Sequence, residues 1–501
     1  MLYRKYLLCG LSFLMLAAVS CADETVNLPT DTSSNDAASA AVTNSTAVSD
    51  PSDARLPLNL SENLDLEGQT FTYLGIGTGE LFGYYATTDL FSDGENAEPL
   101  NDAVYHRNRA VEDMLGIQIE VVFHDDTGPE IEKCIQSDDC PYDAVWNRGC
   151  YLYAPASQGY FLDFQAVPHI DLTAPWWDKN IINDYSFYDK TFIMTGDISI
   201  CEDAYAYFTY FNKKLIADND MESPYQLVEN GEWTLDKMTE MVHSITQDVN
   251  GDGALTDGDC FGVYSECALP NRLFISMGGK YYNRDSDEYH ICVTNERNMD
   301  IFTGIFELLQ HDSAPNIEDW KSSGSFDNVF SYARNLFTQD CFLFVFGEPG
   351  VIEEFRDMDS DFGIVPIPKF DAAQDRYYSV VDEYAPLLAI PINAPDINRT
   401  GAVLEALAWE SRYTLTPVYN ETLVKRKHAR DEDSIAMLEL LADSRVFNII
   451  AMTNWGNIYS VPFNSFSSGK MISVSAFEKR INAAEKALAR DLDLFASAGE
   501  N

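Results

Sequence analysis

The chain reads as an α/β protein whose sheets are mostly parallel, and three observations carry that reading. Strand-like and helix-like segments alternate over residues 71–146, an order that favours parallel pairing through helical crossovers. About 440 residues lie beyond residue 60 of a chain that is 46% apolar and 13% aromatic, enough to bury sizeable cores. A body of that length calls for two or three domains.

Phe71 to Ile76 reads as a buried strand. Asn101 to Leu115 reads as a helix capped by Asn101, with Val104, Val111 and Leu115 on one face and Gly116 as its stop. Ile117 to Phe123 alternates as a second strand, 128–137 is a short helix, and Tyr142 to Trp146 is a third strand. Asn147 and Arg148 leave its carboxyl end, where ligands of parallel sheets collect. A β-rich stretch from Phe187 to Phe211 precedes a mostly helical region. There Thr234 caps a helix that carries Leu235, Met238, Val242 and Ile245 at core spacing. Asn298 to Gln310 and Val329 to Phe337 continue as helices, while Phe342 to Phe346 and Gly363 to Pro366 return as strands. Ala476 to Phe495 is a charged amphipathic helix.

Upstream of this body, Arg4 and Lys5, the apolar run Tyr6 to Val19, and Ala18-Val19-Ser20-Cys21 form an export signal. The run is short of the roughly 20 residues a spanning helix needs. Cys21 is then the expected lipidated N-terminus, palmitate being one of its acyl groups; cleavage without lipid is the alternative. Residues 22–54 contain no aromatic, Lys or Arg and read as a solvated tether reaching about 30 Å. Without the first 20 residues, 31 Lys and Arg face 80 Asp and Glu, a net charge of -49. Nucleic acid and anionic lipid surfaces repel such a chain, which suits neutral or cationic ligands.

Beyond Cys9 and Cys21, eight cysteines remain, enough for four disulfides. The nearest pairings are Cys134 with Cys140, and Cys260 with Cys267 or Cys292. No C-x-x-C or H-E-x-x-H spacing supports zinc. The sharpest local motif runs from Asp248 to Asp259. Asp248, Asn250 and Asp252 stand at loop positions 1, 3 and 5, Gly253 at 6 and Asp259 at 12, the spacing of an EF-hand-like calcium loop, with Ala254 contributing at the seventh position. The helix Leu235 to Ile245 supplies only the incoming half, so the expectation is a lone structural Ca²⁺; a metal-free Asp/Gly turn is the competing reading.

Several motifs in series carry a resemblance. Trp176-Trp177-Asp178, Gly196-Asp197-Ile198, Tyr210-Phe211-Asn212-Lys213 and Gly231-Glu232-Trp233-Thr234-Leu235-Asp236-Lys237-Met238 are followed by Asp248 to Asp252, Phe261-Gly262, Phe362 to Lys369 and Gln374 to Ser379. In that order the chain resembles the extracellular solute-binding lipoproteins of ABC importers, family 1, the maltose-binding-protein-like group, over residues 68–390. The resemblance implies a two-lobed, class II periplasmic-binding-protein-like fold joined by a multi-crossing hinge. Its crossings would fall near 201–208, 341–347 and 392–398. The implied organisation is a signal at 1–20, a tether at 21–60, lobe 1 at 61–201 and 343–395, and lobe 2 at 202–342 and 396–501.

It further implies a monomeric, non-catalytic receptor on the outer face of the cell membrane, passing a carbohydrate or oligosaccharide to ABC permease subunits. Sugar rings stack on aromatics while their hydroxyls need paired polar side chains. Tyr84, Tyr85, Trp146, Trp176, Trp177, Trp233 and Trp455 are the aromatic candidates, with Trp233 the more structural and loop-borne Trp455 the better stacking residue. Asn147, Arg148, Glu202, Asp203, Glu348, Asp382 and Glu383 are the polar ones. Two competing functions are a surface glycoside hydrolase, which needs two facing carboxylates, and a glycan-binding sensor or adhesin without transport.

Overall fold

The computed structural model describes residues 55–498 apart from 61–63, 65, 78–88, 250, 286–287, 321–327, 356, 427–431 and 443. The signal, Cys21 and the expected tether as far as residue 54 lie outside the described residues, as do Tyr84, Tyr85 and Asn250; the last residues assigned to the tether belong to the body, Leu56 O accepting the Trp409 Nε1–H at 2.7 Å. The body of the chain begins at Leu56.

Strands β1 (Thr70–Ile76), β2 (Gln118–His124) and β3 (Ala144–Arg148) pair in parallel, in the order β2-β1-β3. Their crossovers are the helices Pro99–Leu115 and Gly128–Ser137. Gly116 ends the first helix as expected, in the left-handed conformation at φ 64°. Its N-cap differs: the Glu98 carboxylate accepts the Asn101 N–H at 2.7 Å, and Pro99 opens the helix where no N–H is needed.

A second four-stranded sheet is built by β4 (Phe208–Asn212), β5 (Phe261–Val263), β8 (Phe342–Gly347) and β9 (Phe362–Val365), in the order β5-β8-β4-β9. β5 and β8 are parallel, while β4 runs against both β8 and β9. Between β5 and β8 the chain forms a hairpin of β6 (Tyr282–Asp285) and β7 (Glu288–Ile291). Helices Leu235–Ile245, Leu269–Ser276, Glu296–Leu309 and Val329–Thr338 complete this lobe. Thr234 caps the first of them, its hydroxyl accepting the Lys237 N–H at 3.4 Å.

The lobe boundaries differ from those implied by resemblance. β8 and β9 hydrogen-bond to β4, so 342–365 belongs to lobe 2. Lobe 1 recovers the chain at β11 (Pro386–Ala389), antiparallel to β3, and keeps it through helix Ile397–Tyr413, which packs on Pro99–Leu115. Arg399 on that helix pairs with Asp143 at 2.6 Å, next to β3. Helix Glu432–Ala442 is back on lobe 2, where Ser434 Oγ and Tyr225 OH lie 2.7 Å apart. The expected crossings near 341–347 and 392–398 therefore shift. Ile392 N–H donates to Tyr160 O within lobe 1.

Three crossing segments lie side by side. β10 (Ser379–Val380) pairs in parallel with β12 (Arg445–Val446), and Tyr207 N–H donates to Val380 O at 2.9 Å while Asp382 N–H donates to Tyr205 O at 3.0 Å. The hinge is thus a small hydrogen-bonded ribbon rather than three loose strings. The final helix, Val474–Ser497, touches both lobes. Phe477 meets Phe302 and Tyr281 of lobe 2, and Phe495 stacks on Phe187 at 4.8 Å on lobe 1. No described helix is long and apolar enough to cross a membrane.

One buried carboxyl ties two tryptophans to lobe 1. Trp176 Nε1 and Trp177 Nε1 donate to the two oxygens of Glu405 at 3.0 and 2.8 Å. Burial pushes the Glu405 carboxyl up to about 7 from an ordinary 4.5, against the lowering effect of both indoles. The folded chain holds this proton to higher pH than the unfolded chain, so its contribution is full below about pH 4.5 and is lost as pH rises through 7. The shift corresponds to about 3 kcal/mol. Urea unfolding between pH 4.5 and 8 should show a steeper loss of stability in the wild type than in Glu405→Gln; equal slopes would refute the assignment.

Candidate functional site

β5 and β8 both end at the same rim of lobe 2, and residues that follow them, Tyr264, Glu266 and Glu348, line a cavity of about 630 Å³. Tyr207 from the hinge, Arg272 from helix Leu269–Ser276 and the exposed Phe463 complete its wall. This is where a sheet of this kind presents unsatisfied backbone ends to a ligand.

Arg272 organises the site. Its guanidinium donates to Glu266 Oε1 at 2.9 Å and Asp382 Oδ2 at 3.1 Å, and lies over the Tyr207 ring at 4.5 Å. Lobe 2 is thereby fastened to the hinge by one cation and two acids. Asp382 Oδ1 also accepts the Tyr384 N–H at 2.8 Å, which sets the turn leading to Glu383. From there the chain docks on lobe 1: Cys150 N–H donates to Glu383 O at 2.9 Å and Gly149 N–H to Ala385 O at 3.0 Å. A Cβ on Gly149 would stand 2.6 Å from Met452 Cε and 2.9 Å from Leu387 Cδ1, so those two side-chain ends would have to move aside for any larger residue. Burial, then the charge of Asp382, pushes the half-buried Glu383 carboxyl up to about 7. Burial also raises Glu266.

At the end of β3, Asn147 Oδ1 accepts the Arg148 N–H at 2.8 Å, and the Arg148 guanidinium lies 5.7 Å from the centroid of the exposed Tyr151 ring. Both β3 residues are almost fully buried. Further round the wall, Arg334 is held by Glu354 at 2.9 and 2.8 Å.

The sequence-derived candidates divide accordingly. Glu348 lines the cavity, and Asp382 and Glu383 flank it at the hinge; Asn147 and Arg148 end the facing strand of lobe 1. The tryptophans require correction. Trp146 is buried in β3, Trp176 and Trp177 are taken by Glu405, and Trp455 Nε1 donates to Asp491 Oδ2 at 2.8 Å beneath the last helix. Trp233 is buried too, donating to Pro366 O at 2.7 Å. None offers a ring face to a solute. Glu202 is buried and accepts the Thr195 hydroxyl at 2.8 Å, and Asp203 pairs with Arg445, which also holds Asp178 at 3.0 Å. These acids brace the hinge. Sequence reasoning missed Tyr207, Tyr264, Glu266, Arg272 and Phe463. Reading Phe261–Val263 as a strand would have exposed Tyr264 and Glu266, because they follow its carboxyl end.

The Asp248–Asp259 loop lies at the opposite, amino end of β5. Asp248 accepts the N–H groups of Gly251 and Gly253 at 2.7 and 2.8 Å, and Asp259 those of Val249 and Thr256 at 2.9 and 2.7 Å. Among the described residues no three metal-ligating side chains converge. Asp259 Oδ2 accepts the Thr256 hydroxyl as well, at 3.2 Å. The eight described cysteines are free thiols. Cys267 contacts Glu318 and Cys292 faces Lys280 O at 3.4 Å, so neither is turned to Cys260 as expected.

No protein-family model and no curated protein matches the sequence. Solved structures do. Mycobacterium tuberculosis UspC aligns over 83% of this chain and 100% of its own at 16% identity and a TM-score of 0.53. The maltose/maltodextrin-binding domain MalE from Bdellovibrio bacteriovorus, bound to maltotriose, aligns over 84% and 100% at 15% identity and 0.51. A cyclo/maltodextrin-binding protein complexed with maltotetraose aligns over 86% and 97% at 12% identity and 0.53. The class the architecture defines is therefore the two-lobed α/β fold of solute-binding proteins. The particular likeness, at these identities one of fold, is to maltodextrin-binding proteins.

Replacing Arg272 by Ala leaves Glu266 and Asp382 facing each other without a cation. The expected loss is about 3 kcal/mol of unfolding free energy. Arg272→Lys should fall between, because an ammonium cannot fork to both acids. Denaturant titrations measure all three; a silent Arg272→Ala would mean that no such clasp holds lobe 2 to the hinge.

Proposed function

We propose that this chain is a solute receptor that captures a carbohydrate or oligosaccharide between its lobes and hands it, chemically unchanged, to an ABC permease. The observation that carries the reading is the cavity at the carboxyl ends of β5 and β8, placed beside the hinge of a fold shared with proteins bound to maltotriose and maltotetraose. Its walls combine aromatic side chains (Tyr207, Tyr264, Phe463) with acids (Glu266, Glu348), the mixture that sugar rings and hydroxyls require. Closure would bring Arg148 and Tyr151 of lobe 1 toward that wall by rotation at the ribbon of crossings. Export and acylation of Cys21 would hold the receptor on its tether at the outer face of the cell membrane, and both belong to the proposal.

Titration calorimetry against a panel of neutral oligosaccharides should find a ligand, and Glu348→Ala should weaken it at least tenfold without lowering the melting temperature. Binding with release of reducing ends would instead favour a glycoside hydrolase acting through carboxyls such as Glu266 and Glu383. Absence of binding across the panel would overturn the carbohydrate reading.

A structural Ca²⁺ held by Asp248, Asn250, Asp252, Ala254 and Asp259 is part of the same proposal. Its service would be to neutralise the acids of the turn and stiffen the entry to β5. Saturation at 100 times the dissociation constant would add about 2.7 kcal/mol. Melting should therefore fall on adding chelator and recover with millimolar calcium; an unchanged curve would leave the turn without metal.

A further inference from the structure

β5 and β8 are parallel neighbours in the register Phe261 to Phe342 and Val263 to Phe344. Phe261 and Phe342 are both buried and their rings stack, with centroids 5.8 Å apart and planes 28° from parallel. The two register partners therefore point to the same face of the sheet. The residues immediately before them, Cys260 and Cys341, therefore stand side by side at the amino ends of the two strands.

Backbone bonds hold this juxtaposition. Phe261 N–H donates to Cys341 O at 2.8 Å, and Cys260 exchanges hydrogen bonds with Gln247 at 3.0 and 3.1 Å. Parallel neighbours stand about 4.8 Å apart, within the separation of about 4.4–6.8 Å between α-carbons that a disulfide needs. Both side chains are half-buried, hence reachable by reagent. Their sulfurs have only weak contacts with carbonyls, Cys260 Sγ with Asp340 O at 4.0 Å and Cys341 Sγ with Gln339 O at 3.7 Å.

We propose that Cys260 and Cys341 form a disulfide under oxidising conditions, fastening the edge strand of lobe 2. The oxidant is an external disulfide such as oxidised glutathione. One cysteine thiolate attacks it, releasing one glutathione thiol and forming a mixed disulfide; the second cysteine displaces the other glutathione and closes the bridge. Two protein thiols are oxidised to the bridge, and one glutathione disulfide is reduced to two thiols that take up the two protons.

The bond would act where the sheet is least secured. β5 is a three-residue strand at the edge of the order β5-β8-β4-β9, paired only to β8. Its amino end also carries the Asp248–Asp259 turn, so the bridge pins that turn to the sheet while leaving the cavity end free.

The full chain incubated with oxidised glutathione at pH 8.5, alkylated and digested without reductant, should yield a peptide pair joined through Cys260 and Cys341. Its melting temperature should rise by several degrees over the reduced protein. The Cys260→Ser/Cys341→Ser double variant should lack both the joined pair and the rise. Recovery of both thiols as alkylated cysteines, as stable glutathione adducts, or joined to other cysteines would overturn the proposal.

Discussion

An excess of acid over base is the constraint on which the rest of the structure depends. With 80 acids against 33 Lys and Arg, arginine is a scarce resource, and the fold places several arginines where segments distant in sequence must meet. Arg399 joins Ile397–Tyr413 to Asp143 beside β3, Arg445 joins the third crossing to Asp178 and Asp203, and Arg272 joins lobe 2 to Asp382 at the second crossing. A bidentate, permanently charged guanidinium suits this role better than lysine. Acids without such a partner shift their chemistry instead. Glu405 and Glu383 retain protons near neutrality because burial disfavours their charge.

This economy places the cavity and the hinge in one electrostatic unit. Asp382 belongs to the crossing, Arg272 to the wall of the cavity and Glu266 to the loop after β5, so a solute that altered the contacts of Arg272 would act on the hinge directly. Glu383 extends the connection to lobe 1 through its backbone carbonyl on Cys150. Cavity wall and hinge are joined through a handful of side chains rather than through a long relay.

Much of the framework was legible in the sequence because it rests on local periodicity. Gly116, Thr234 and the alternation from Phe71 to Trp146 mark elements close to where the structure has them. Lobe membership was not legible: Phe342–Gly347 and Phe362–Val365 are apolar runs whose partner, β4, is chosen by tertiary pairing that no local pattern encodes. The site was read only in part for a related reason. Tryptophans attract attention as sugar platforms, yet Trp176, Trp177 and Trp455 satisfy their N–H groups on Glu405 and Asp491 in the interior. Tyr207 and Arg272 carry no motif, and only the convergence of the hinge with helix Leu269–Ser276 reveals them.

The last helix has a mechanical consequence. A 24-residue rod about 36 Å long, anchored by Phe477 at one end and by Phe495 and Lys190 at the other, resists bending far more than rolling. The easiest rotation of one half against the other therefore has its axis along that rod.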